Sequence, residues 1–208
     1  MWLPILLIIV IGYLLGNLNG AVCISHLVAH EDVRTQGSGN AGLTNFIRVY
    51  GAGKALSVIV IDGGKAAAAC LVGGLLLKPY GLYQEGMSIG GAAVMLGHVF
   101  PVLLGFKGGK GILSGFFVAL TLDWRVALII LGVFAIAYFT TQYVSLGSVL
   151  GSVAFGVGFL ILYYDNLIVM LCGVFMAALA TIMHRENIKR LLHKQERKTN
   201  LFGKGSKQ

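Results

Sequence analysis

Four short polar stretches hold the residues of this chain that could do chemistry. The first is Arg34-Thr35-Gln36-Gly37-Ser38-Gly39-Asn40-Ala41-Gly42-Leu43-Thr44-Asn45, with Arg48 three residues on. Gly-Ser-Gly-Asn-x-Gly is backbone that can fold tightly and aim several N–H groups at one point. Such nests bind phosphate oxygens, and the N-terminus of a following helix adds its dipole. Ser38, Asn40, Thr44 and Asn45 add side-chain donors, and Arg48 adds a guanidinium fork. The plain alternative is a flexible polar connection. The second stretch is Gly97-His98-x-x-Pro101-x-x-x-x-Phe106-Lys107-Gly108-Gly109-Lys110-Gly111. Glycines 108, 109 and 111 around two lysines suit close approach of backbone to an anion, with a mobile ammonium alongside. A loop that anchors lipid headgroups is the alternative, and His98 equally suits a satisfied buried histidine.

The third stretch, Gln142 to Ser148, centres on Ser145 and is weak alone, because hydroxyls in membrane helices commonly bond their own backbone. The fourth is His184-Arg185-Glu186-Asn187-Ile188. His184 and Asn187 are three apart, so on one helix they share a face; a snorkelling helix end reads the same way. Asp62 and Lys65 are also three apart and can pair inside a membrane, where a charge is a functional candidate and a structural pair alike. Two look-alikes fail. Gly37-x-Gly39-x-x-Gly42, with Asp62 twenty residues on, matches the dinucleotide fingerprint but lacks the strand that must precede it. Lys110 is no P-loop lysine, since Gly111 follows it and Leu104 stands where that motif begins with glycine.

The elements that must position these stretches are apolar. Of 208 residues, 57% are hydrophobic and 12% charged, and the mean hydropathy is +0.83. That excludes disorder and a soluble globular domain. Thirty glycines without a G-X-Y period exclude collagen. What remains is an all-α integral membrane protein, one polytopic domain over 1–208, without internal repeat or linker. Seven apolar runs are legible: Leu3 to about Ile24, Ala55 to Leu77, a third ending near Gly105, Ile112 to Leu122, Val126 to about Thr140, a sixth ending near Tyr164, and Leu167 to Met183. A span needs about 20 apolar residues, and the fourth run has half that. Seven spans are expected, with five as the fallback if the fourth and fifth form a re-entrant hairpin. The N-terminus has no basic region and no A-x-A site, so it reads as a retained helix rather than a cleaved signal.

Charge orients the chain. With the N-terminus outside, the loops at 30–54, 105–111 and 141–148 and the C-terminal tail face the cytoplasm. They hold Arg34, Arg48, Lys54, Lys107, Lys110 and the eight cations of the basic tail 184–208, which is 13 of the 16. That is a strong positive-inside bias. Trp2, Tyr80, Tyr83, Trp124, Tyr163 and Tyr164 then fall at the outer boundary as an aromatic belt. The net charge of +8 belongs to this bias and to contact with anionic lipid, not to nucleic acid. Cys23, Cys70 and Cys172 form no C-x-x-C pair and read as small buried hydrophobes. All four chemical stretches thus meet one membrane face, where they would hold an anionic phosphorylated ligand.

These residues resemble the bacterial membrane family of acyl-phosphate:glycerol-3-phosphate acyltransferases. The resemblance runs from about Gly16 to Lys198 and is most specific at 37–45, 97–111, Tyr143-Val144-Ser145-Leu146 and 184–188. Leu43 and Ile112-Leu113 depart from the family's smaller residues, changing volume but no donor. The resemblance implies a seven-helix enzyme of the bacterial inner membrane, with its site on the cytoplasmic face and no metal or cofactor. It implies transfer of a fatty acyl group from acyl phosphate to glycerol 3-phosphate, giving lysophosphatidate and phosphate. Membrane lipid and other enzymes of phospholipid synthesis are the implied partners. Ser38, Ser145, His184 and Asn187 resemble the family's catalytic residues. Arg48, Lys110, His98, Asn40, Thr44, Asn45 and the glycines at 37, 39, 42, 108, 109 and 111 resemble its substrate-binding ones. The His-x-x-x-x-Asp signature of the other major acyltransferase family is absent; Glu31 stands five residues after His26.

The implied chemistry suits these residues. An acyl phosphate is an activated mixed anhydride, so no covalent enzyme nucleophile is needed. Positioning two anions and stabilising developing charge is enough. No carboxylate–histidine pair is evident among the loops, so a donor phosphate oxygen is the expected proton acceptor. The competing readings are a small-anion transporter using Asp62 and Lys65 as a relay, and a membrane anchor acting through its tail.

Overall fold

The computed structural model describes residues 1–199, and the tail lysines Lys204 and Lys207 lie outside that range. Ten α-helices and four single-turn 3₁₀ segments make up the described residues. Helix α1 (Trp2–Asn17) and α2 (Gly20–Ala29) come from the first apolar run. The run breaks because Asn19 caps α2, its side chain accepting from the Val22 N–H at 3.0 Å. Helix α3 (Leu43–Tyr50) is a short amphipathic element inside the first polar loop. Then come α4 (Ala55–Leu77), α5 (Tyr83–Val99), α6 (Ile112–Leu122), α7 (Trp124–Thr141), α8 (Val144–Leu162), α9 (Leu167–Met183) and α10 (Arg185–Leu192).

Each of the seven apolar runs is therefore helical. Five stretches are long and apolar enough to cross a membrane: Trp2–Ala29, Ala52–Tyr80, Tyr83–Leu104, Trp124–Thr141 and Val144–Leu162. Helices α9 and α10 make a sixth only as a pair bent by 55°. Helix α6, at 11 residues, is short for a span, as its sequence implied.

Lipid is as apolar as leucine, so helices in it associate through close packing rather than through hydrophobic burial. Glycine supplies that closeness here. Helix α5 lies on α4 and α1, and Gly73 of α4 and Gly86 of α5 meet so closely that a Cβ on either would strike the other's carbonyl. Gly97 of α5 meets the Tyr13 carbonyl and Gly16 of α1 in the same way. Gly73→Val is expected to destabilise the bundle by about 1–3 kcal/mol, because the nearest atoms facing the new side chain are the Gly86 carbonyl, and backbone cannot rotate away. A fall in thermal midpoint of roughly 2–12 °C in detergent checks this.

Two clusters fill the interior. The larger joins α4 to α9, with Val94, Val118, Phe155, Phe159 and Met176 at its centre. The smaller sets Val33, Ala41 and Phe46 against Ala21, Val22 and Val58, so the first polar loop rests on the α2–α4 end of the bundle. All three cysteines are unpaired, and Cys70 is buried. The aromatic belt needs one correction. Trp2, Tyr80, Trp124 and Tyr164 are exposed, but Tyr163 is buried. Its hydroxyl donates to Asp123 Oδ2 at 3.1 Å. Asp123 also caps α7 and pairs with Arg125 at 2.7 Å.

Candidate functional site

The first loop is shaped by two left-handed glycines, Gly37 at φ 61° and Gly39 at φ 71°, a conformation that any Cβ would strain. Asn45 holds the turn. Its Oδ1 accepts from the Ser38 N–H at 2.8 Å, and its Nδ2 donates to the carbonyls of Val33 and Gln36 at 3.0 and 3.1 Å. This buried amide is thus spent on the loop itself, whereas the sequence pattern cast it as a ligand donor. Asn19 donates to the Ala41 carbonyl at 3.0 Å and ties the loop to α2.

Arg34 joins the first loop to the second. Its guanidinium donates to the carbonyls of Leu104 and Lys107 at 2.8 and 3.0 Å while pairing with Asp32 at 2.7 Å. The guanidinium beside it holds the Asp32 carboxyl below the usual carboxylate range. In the second loop the Gly109 N–H donates to the His98 carbonyl at 3.1 Å. A Cβ on Gly108 would strike that carbonyl, and one on Gly109 would strike the His98 ring. Both glycines are therefore packing positions. They permit the loop to lie on the end of α5 and bring its backbone against the His98 ring.

The four stretches surround one cavity of about 870 Å³. Gly37, Ser38, Gly39, Asn40, Gly42, Thr44, Asn45 and Arg48 line it from the first loop and α3, and His98, Lys110 and Gly111 line it from the second. Ser145 from α8 and His184 and Asn187 from the α9–α10 junction complete the polar lining. The rest of the lining is largely apolar, with Met95, Phe116, Ile130, Phe134, Phe155 and Met176, and Ser148 and Ser152 of α8 among them. The size is that of a pocket for a substantial ligand.

Lys110 is central to the polar lining. Its ammonium donates to Asn187 Oδ1. Burial, and after it the like charge of Arg190, pushes its pKa down to about 8; Arg48 acts the same way and Glu196 opposes. Arg48 is half-buried and likewise pushed down by desolvation, and it donates to Thr199 Oγ1 at 3.1 Å. Ser145 Oγ is buried with no hydrogen-bond partner among the described residues.

His184 and Asn187 do not share one continuous helix face, because α9 ends at Met183 and α10 starts at Arg185 across the bend. Both still line the cavity. His184 Nδ1 lies 2.8 Å from the Ala180 carbonyl. A carbonyl only accepts, so Nδ1 carries the proton and Nε2 of the neutral ring is bare.

Sequence alone also missed part of the wall. The tail reads as a basic lipid contact, yet one of its two glutamates, Glu196, accepts from Asn187 Nδ2 at 3.0 Å and from Arg190 Nε at 2.7 Å. The Thr199 N–H donates to the Gln142 carbonyl at 3.2 Å, so residues 196–199 lie along the cavity mouth. Asp62 was read as a paired charge; it is paired, at 2.8 Å from Lys65, and it also lines the cavity beside His98. Among the described residues no group of three or more His, Cys, Asp or Glu side chains is placed to hold a metal ion.

The molecule is a helical bundle of membrane length with a cavity lined by both cationic and apolar side chains, an architecture that suits an amphiphilic anionic ligand. Relatives sharpen that class. A family model described as glycerol-3-phosphate acyltransferase matches residues 6–194. A glycerol-3-phosphate acyltransferase of Finegoldia magna is 38% identical over 197 residues, covering 95% of this chain and 97% of that one. The crystal structure of PlsY (YgiH), an integral membrane glycerol 3-phosphate acyltransferase, in its glycerol 3-phosphate form superimposes with a TM-score of 0.83 at 32% identity, covering 96% of this chain and 99% of that one. Its lysophosphatidic acid form gives a TM-score of 0.81 at 31% identity, covering 95% and 96%. The chain belongs to the glycerol-3-phosphate acyltransferase family.

Proposed function

We propose that the chain moves a fatty acyl group from acyl phosphate to glycerol 3-phosphate, releasing phosphate and lysophosphatidate. The observation that carries this reading is the convergence of four separate stretches on one cavity lined by both cationic and apolar side chains. The apolar residues take the alkyl chain of the donor. The polar residues take two phosphate groups, on Lys110, Arg48 and the side-chain donors of the first loop.

In the reaction the acceptor hydroxyl attacks the acyl carbonyl carbon. A new C–O ester bond forms, the C–O bond to phosphate breaks, and phosphate leaves with the electron pair. A phosphate oxygen of the donor takes the hydroxyl proton. Ser38, Ser145, His184 and Asn187 orient the acceptor and the carbonyl, and oriented donors stabilise the charge that develops on it.

The site faces the cytoplasm of a bacterial inner membrane, with the N-terminus outside and seven helical pieces embedded. The first of them is α1 with α2, and the rest are α4 to α9. The whole chain acts as one domain, and the charges of its loops and tail support this orientation.

The test is purified protein in lipid vesicles with glycerol 3-phosphate and one acyl donor at a time. Acyl phosphate is expected to give phosphate and lysophosphatidate in equal amounts, and acyl-CoA and acyl carrier protein are expected to give neither. Turnover with acyl-CoA alone would overturn the choice of donor.

A further inference from the structure

We infer that Lys65 and Asp62, inside α4, are positioning residues that fix His98 as an Nε2–H donor into the cavity, so that this histidine binds an anionic oxygen and is not the general base. The inference rests on the proposed reaction for its consequence, but its geometry stands apart from it.

Lys65 is buried among four neighbours. Its Nζ lies 2.8 Å from Asp62 Oδ1, 2.5 Å from the Leu18 carbonyl, 3.2 Å from the Gly16 carbonyl and 2.8 Å from His98 Nδ1. The two carbonyls stand at the end of α1, where the chain breaks before Asn19. Asp62 Oδ1 in turn accepts from the Gly20 N–H at 3.1 Å, at the start of α2. The break in the first apolar run thus supplies the groups that hold this charged pair inside the bundle, where an uncompensated charge would be expensive.

The arrangement decides which ring nitrogen of His98 is protonated. An ammonium has only protons to offer. A proton on Nδ1 would point at it across 2.8 Å. Asp62 Oδ1, an acceptor that could otherwise take a proton from Nδ1, is 3.7 Å away and beyond hydrogen-bond reach. Nδ1 therefore accepts from Lys65, and Nε2 carries the proton of the neutral ring. Nε2 has no protein partner among the described residues, His98 lines the cavity, and the bare backbone of Gly109, next to Lys110, packs on that ring edge. An anion held by Lys110 meets the Nε2–H there. A base must present a lone pair to the proton it takes, and moving the His98 proton to Nδ1 is opposed by Lys65. His184 is the opposite case, with Nδ1–H donated to Ala180 and Nε2 bare.

The test combines a spectrum with kinetics on the full chain in lipid. Protein labelled with ¹⁵N-histidine and free of substrate is recorded, with H98Q assigning the His98 signals. One histidine is expected to show a bare Nδ1 and a protonated Nε2, and that signature is expected to vanish or average in K65M. In turnover, H98A is expected to raise the KM for acyl phosphate about 10- to 100-fold, the usual effect of losing a hydrogen bond to a charged group. K65M is expected to raise it about tenfold with a smaller change in kcat. In H98Q the amide nitrogen occupies the Nε2 position and donates but cannot take up a proton, so it is expected to recover most of the loss seen in H98A. A His98 spectrum with Nδ1 protonated overturns the inference, as does H98Q with kcat as low as H98A and KM intact. No turnover by the parent with any donor would sink the reaction instead, and the spectrum would still decide the tautomer.

Discussion

Lys110→Met is expected to lower kcat/KM by about 100-fold or more, the loss typical of removing a charge-assisted donor from a site that stabilises developing negative charge. The mutation deletes a cation at the meeting point of two of the four stretches. It also leaves Asn187 Oδ1 without its Lys110 donor, so the orientation of that amide is lost with the charge. The same residue predicts a pH dependence whose sign follows from its surroundings. Burial and the neighbouring arginines hold its pKa at about 8, so the ammonium is charged below that value and neutral above it. Anion binding is therefore strongest on the acid side, and KM for the phosphorylated substrates is expected to rise as pH climbs through 8. K110R should flatten that limb, because a guanidinium stays protonated throughout. KM measured from pH 6.5 to 9.5 for parent and K110R checks it, and a KM that falls above pH 8 would contradict the assignment.

Gly108→Ala is expected to be nearly as damaging, although the residue does not line the cavity. Its Cβ would press on the His98 carbonyl, with Pro101 Cδ at 2.7 Å and the Val99 carbonyl at 2.8 Å on the other sides. Nothing there is a flexible side chain, so the loop must lift from the end of α5 and carry Lys110 with it. A displacement of about 1 Å in a positioning element costs on the order of 100-fold in rate, and a loss of that size in kcat/KM is the expected result. Gly64→Ala is the matched control. Its Cβ would meet nothing within 4 Å on the face of α4, and it is expected to leave turnover unchanged while stabilising the helix by up to about 1 kcal/mol. Parallel kinetics and thermal melts on both variants separate a displaced loop from an unfolded protein.

The contrast between these glycines shows where sequence stops informing. Composition and periodicity located the helices closely: Ala55–Leu77, Ile112–Leu122 and Leu167–Met183 coincide with α4, α6 and α9. Apolar length is a local property, and the bilayer demands it residue by residue. The stretches around Ser38, Lys110, Ser145 and Asn187 were also legible, since glycine next to cations and hydroxyls is rare in so apolar a chain. What stayed hidden depends on partners far along the chain. The break at Leu18–Asn19 was invisible because the apolar run continues through it. Asn45 looked like a free donor because Val33 and Gln36, which it holds, are found only once the loop is folded. Lys65 and His98 are 33 residues apart, so a lysine between carboxylate and imidazole could not be read from either motif. Glu196 was masked by the basic residues around it.

The glycine contacts also divide the bundle mechanically. Helices α1, α4 and α5 meet backbone to backbone and leave one another no slack. Helix α7, which contributes Ile130, Leu131 and Phe134 to the cavity, packs mainly on α8 and α6 and is the least buried of the five long apolar stretches. The closest backbone packing is thereby concentrated on one side of the bundle, and the α7 flank has less of it. The loops that carry Ser38 and Lys110 rest on the tightly packed side, while the wall that α7 gives the cavity is held mainly by α6 and α8.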